Sequence, residues 1–166
     1  MNRLQFAVEQ IVFARNYTDW LLEGTPAADW FRQPAGGVSL IGWQVGHIAF
    51  AEYRLTLFRI RGPKPEDAAL VSEEFLRQFG ANSVPVAEPA KYPPPTEIRK
   101  VLDRVHEQSL RELAGLDDAE LDQQLSYPHP YAKTKLSSLL WCGHHEMVHA
   151  GQIGLLRRQL GHTPLW

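Results

Sequence analysis

The sequence predicts an all-α fold, a four-helix bundle. Three observations carry this: four segments place apolar residues at helical spacing, no stretch alternates as a half-buried strand does, and no internal repeat is visible. A chain of 166 residues suits one domain, residues 1–166, and is long enough to bury a core without disulfide staples. Hydrophobic residues at 44% and charged residues at 22% place it with ordinary globular sequences rather than disordered ones. A net charge of −2, with no basic stripe, argues against a nucleic-acid partner.

The first helix is expected over about residues 3–23, where Leu4, Ala7, Val8, Ile11, Val12, Ala14, Tyr17 and Leu21 form one face before Gly24 and Pro26. Glu9, Arg15 and Asp19 interrupt its apolar positions, so neither a signal core nor a membrane-spanning segment is expected. Ser39 reads as the N-cap of a second helix that carries His47 and ends at Gly62-Pro63. A long proline-bearing connection follows, broken by one short amphipathic piece at 72–79. Such a length lets the second and third long helices run parallel. Thr96 reads as the cap of the third, whose inner stripe is Ile98, Val101, Leu102, Val105, Ser109, Leu113 and Leu116. The fourth runs from KLSSLLWC to Gly161, with Arg157 and Arg158 in its last turns.

Histidine spacing is the chemical signal. His145 and His149 are four residues apart, which stacks both rings on one helix face, close enough to share a metal ion. His144 points elsewhere. A zinc-type site wants at least three protein ligands, so another helix must contribute. His47 leads: it sits mid-helix on an apolar face beside Trp43 and Gly46, where an unsatisfied imidazole is costly. A hydrogen-bonded core histidine stands as the alternative for each of these residues. That structural or solvent-facing reading is preferred for His106, His129, His144 and His162, although His106 could line a pocket.

Residues 145–149, HEMVH, match the H-E-x-x-H pattern of zinc peptidases, in which the glutamate is the general base. The continuation departs from it. Gln152 and Leu155 stand where a metzincin has Gly and His, and no Asp or Glu follows the motif to serve as an acidic third ligand. A third ligand is therefore expected upstream, and Glu146 is kept as a candidate catalytic residue.

The stretches SLIGWQVGHIAFAEYRL and HEMVHAGQIGLLRRQLG resemble the DinB/YfiT-like metal-binding four-helix bundles. The resemblance implies a bundle with a long connection between its second and third helices, a divalent zinc or nickel ion on His47, His145 and His149, and frequently a dimer. Many members carry a further histidine just before the last ligand, where this chain has Val148. Members with assigned chemistry include thiol-dependent transferases and isomerases using bacillithiol or mycothiol, and related domains occur in sulfoxide synthases.

The function expected is a metal-dependent transferase or hydrolase acting on a small-molecule substrate, with a low-molecular-weight thiol as one candidate. Glu146 or Gln152 would then move protons or orient a ligand. A non-catalytic metal or small-molecule binding module is the alternative, and a fourth protein ligand such as His106 would favour it. The lone cysteine, Cys142, fits a reducing cytoplasm and reads as a small buried hydrophobe.

Overall fold

The computed structural model describes residues 2–165. Four long helices dominate it. α1 spans Arg3–Glu23, capped by Asn2, whose side chain accepts from the Gln5 amide. α2 spans Ile41–Glu52, passes into a π-helical turn, Tyr53–Phe58, and closes with one α-turn, Arg59–Arg61. Two short helices follow in the long connection, α3 (Asp67–Leu70) and α4 (Glu73–Gln78). α5 spans Pro95–Leu113 and α6 Lys135–Gln159. Among the described residues the only β-pairing is an isolated bridge, Gln124 with Thr134.

Cross-helix contacts fix the directions. Glu52 meets His106, Thr56 meets Ser109 and Arg61 meets Glu112, so both numbers rise together and α2 and α5 run parallel. Arg15 meets Glu146, and the Leu21 carbonyl accepts from Arg157, so α1 and α6 are parallel as well. α2 and α6 oppose each other, because Gln44 meets His149 whereas the Leu55 carbonyl meets Ser138. The long connection carries the chain back to the starting end of the bundle, as its length predicts.

The expected inner stripe of α5 is buried from Ile98 to Leu113. One buried cluster joins α2, α5 and the tail of α6 through residues such as Ile48, Leu102 and Ile153; another joins α1, α2 and α6 through Ile11, Leu55 and Leu139. Cys142 lies in the second cluster, where burial and then the Glu52 and Glu146 carboxylates push its thiol well above the ordinary range. The close approach of α1 to α6 depends on Gly143, since a Cβ there would lie 3.1 Å from the Gln10 carbonyl oxygen.

Two expected caps are corrected. Leu40, in extended backbone, takes the N-cap position of α2, while the Ser39 hydroxyl accepts from the Gln44 side chain at 2.7 Å instead of from the helix. Thr96 lies inside α5, because Pro95 at its first position, with φ already set for a helix, starts the helix two residues earlier, with Pro94 at the cap position. The 72–79 piece does form a helix, with the Ser72 hydroxyl accepting from the Phe75 amide at 3.1 Å.

Candidate metal centre

α2 is buried on almost every side, so its polar residues must find partners inside the protein. His47 is one of them. Trp43, one turn earlier, stacks on its ring with centroids 4.8 Å apart and planes 10° apart. The Nδ1–H of His47 donates to the Phe79 carbonyl at 2.7 Å. A carbonyl can only accept, so the proton sits on Nδ1 and the Nε2 lone pair is free. Phe79, at the end of α4, reaches this position because residue 46 is glycine: a Cβ there would lie 2.3 Å from the Phe79 ring.

His145 and His149 occupy one face of α6, as their spacing predicts. The Nδ1–H of His149 donates to Gln44 Oε1, and the Gln44 amide in turn donates to Ser39. This fixes the His149 tautomer too, leaving its Nε2 as a bare donor atom. That atom lies 3.2 Å from His145 Nε2. The ring of His47 has its centroid 5.3 Å from that of His145 and 4.7 Å from that of His149. One nitrogen from each residue falls within 4.8 Å of the other two.

Burial disfavours the charged imidazolium at all three positions. It lowers His47, against the pull of the Phe79 carbonyl. Burial and then the neighbouring histidines bring His145 to about 4 and His149 to about 3. All three rings are thus neutral at neutral pH, the form that ligates metals.

The donor set fits a divalent transition ion. Nitrogens bound at about 2.05 Å in tetrahedral geometry sit about 3.3 Å apart, close to the observed separation of the two α6 nitrogens. His47 and His145 also line a cavity of about 670 Å³, bounded by α2, α4, α6 and the loops before α5 and α6. Phe50, Leu55, Leu76 and Trp141 make its walls apolar.

Glu146 is placed differently. It is buried in the bundle core, 2.9 Å from Arg15 Nε, and Arg15 also binds Glu52 at 2.7 Å and the Leu102 carbonyl at 3.2 Å. Burial pushes the Glu146 carboxyl up against the pull of Arg15, whereas at Glu52 the same penalty is outweighed by Arg15 and His106. The Nδ1–H of His106 donates to the Glu52 carboxylate at 2.7 Å, and His106 is not part of the histidine cluster. Gln152 and His144 are exposed, and His162 pairs with Asp29 at 2.7 Å.

Sequence reasoning did not anticipate Gln44 or the Phe79 carbonyl as the groups orienting the histidines, nor His129, Arg54, Arg59 and Trp141 as cavity residues. The family model described as the DinB superfamily matches residues 10–153, which include all three histidines. No curated protein matches the chain.

Proposed function

The chain belongs to the DinB superfamily, and from that premise we propose that it is a metal-dependent transferase or hydrolase acting on a small substrate, with zinc or nickel held by His47, His145 and His149. The observation that carries this reading is the placement of the histidines at a cavity wall: His47 and His145 face about 670 Å³ of open space, and no fourth histidine, cysteine or carboxylate joins them among the described residues. A divalent ion bound there supplies Lewis acidity, which at neutral pH holds a bound thiol as thiolate or lowers the pKa of a bound water.

The chain's own residues do the rest. The Phe79 carbonyl and Gln44 hold His47 and His149 in the tautomers that present Nε2. Phe50, Leu55 and Trp141 exclude water from one side of the cavity and receive the apolar part of a substrate. Glu146, tied to Arg15, supports the bundle beneath the histidines and is not needed as a base in this reading.

The reducing cytoplasm remains the compartment we favour, and a low-molecular-weight thiol the co-substrate. A second copy of this chain suits the exposed stripe Phe6, Phe13 and Trp20, spaced by heptads along α1, with Val148 and Leu155 exposed on the parallel α6. The test is transfer between an electrophile and a candidate thiol by zinc- or nickel-loaded protein. Turnover lost in His149→Ala supports the proposal, and equal rates in wild type and variant refute it.

A further inference from the structure

The histidine cavity is also strongly cationic, which nothing in its metal-binding role requires. Arg54, Arg59 and Arg77 line it together with His129, and no aspartate or glutamate does. Elsewhere Arg3, Arg15, Arg32, Arg61 and Arg99 each reach a carboxylate within ion-pair distance, and Arg104 and the buried Arg157 instead donate to carbonyl or hydroxyl oxygens. Among the described residues neither Arg54 nor Arg59 does, although both are half-buried.

Arg54 is held in place by packing, its guanidinium carbon 3.6 Å from the centre of the Phe58 ring. Among the described residues the only hydrogen bond of the Arg59 side chain is a long one, 3.3 Å from Nη1 to the Arg54 carbonyl, and its buried Nε has no partner. Burial works against both charges, and Arg54 adds repulsion at Arg59. His129 Nδ1 accepts from the Tyr131 and Ala132 amides, each at 3.2 Å, so in the neutral ring Nε2 carries the proton and is a further donor. Unpaired cations and an orphaned N–H gathered in a half-buried pocket are the signature of a missing anion.

We propose that the cavity takes a small organic anion, a carboxylate or phosphate monoester bound by Arg54 and Arg59, with its apolar body against Phe50, Leu76 and Trp141 and its reactive group toward His47 and His145. This deepens the proposed function by naming its substrate class, and it rests on the reading of this cavity as the substrate site. The anion subsite itself is made of arginines and needs no metal.

Calorimetric titration tests it, using benzoate and phenyl phosphate as anions and benzamide as the neutral control, on chelator-treated and zinc-loaded protein. At least one anion is expected to bind chelator-treated wild type roughly tenfold or more tightly than benzamide, a margin worth one charge-assisted contact. Arg59→Gln and Arg54→Gln should each remove most of that margin, while Arg59→Lys keeps part of it. Should one glutamine variant melt early by circular dichroism, the other and Arg59→Lys carry the comparison. Equal binding of anions and benzamide, or an unchanged margin in folded glutamine variants, overturns the proposal. Zinc content of the same samples keeps the two readings apart: anion binding without stoichiometric zinc sinks the metal centre alone, and zinc without anion preference sinks the anion site alone.

Discussion

At the scale of single residues, two kinds of buried polar group behave differently. The histidines are buried neutral, whereas Arg15 and Glu52 are buried as an ion pair. Arg15 holds two carboxylates from two other helices, so Arg15→Met leaves both Glu52 and Glu146 without their cation. It should cost about 3–5 kcal/mol in urea unfolding, the range for breaking a buried pair from one side. The histidines set a pH dependence of definite sign. Their folded pKa values, about 4 for His145 and about 3 for His149, lie below the ordinary value near 6.5, so below pH 6.5 the unfolded chain binds more protons than the folded one. Metal-free protein should therefore lose stability as pH falls from 6.5 towards 4, by up to about 1.4 kcal/mol per pH unit for each histidine. Urea midpoints at pH 7 and pH 5 check this, and the slope should be shallower in His149→Ala. Gly46→Ala tests the orienting carbonyl: its Cβ would meet the Phe79 ring at 2.3 Å, displacing the group that holds His47, and metal affinity should fall by about 10- to 100-fold.

At the scale of elements, α4 is six residues long yet delivers the Phe79 carbonyl to His47. Its start depends on the Ser72 cap, so Ser72→Ala should destabilise it by about 1 kcal/mol. Amide exchange measured by mass spectrometry should then quicken across 75–79 and stay unchanged in α5; unchanged exchange in both would remove α4 from the account. The long helices were legible because each carries a periodic apolar face over many turns, and the α6 histidine pair because a spacing of four has one meaning on a helix. The two misplaced caps show where local signals compete. Ser39 has the chemistry of a cap but uses its hydroxyl on Gln44, and the proline run ahead of Thr96 starts α5 on its own terms. The π turn at Tyr53–Phe58 lies in a stretch apolar on nearly all sides, so no break in periodicity marks it. Phe79 acts through its backbone, which leaves no residue-type signal, and the arginines reach the cavity only through the folded path of the chain.

At the scale of the whole molecule, the paired parallel helices put His47 on one side of the α2–α6 contact and His145 and His149 on the other. An ion joining them ties the two halves of the bundle together, so a thousandfold excess of zinc over its Kd should add about 4 kcal/mol to stability. The exposed stripe on α1 and α6 makes a second whole-molecule prediction. Light scattering should find wild type at twice the chain mass and Phe13→Glu at the chain mass, and a wild-type monomer at tens of micromolar excludes this surface as a self-contact. No helix of the described residues is long and apolar enough to cross a membrane. In the proposed centre three neutral imidazoles, two of them locked by Phe79 and Gln44, hold one metal ion. Elemental analysis of protein prepared without an affinity tag tests it most directly. About one zinc or nickel ion per wild-type chain, absent from folded His149→Ala, is the predicted result; wild-type protein free of transition metal after exposure to both ions, or full retention in the variant, would contradict it.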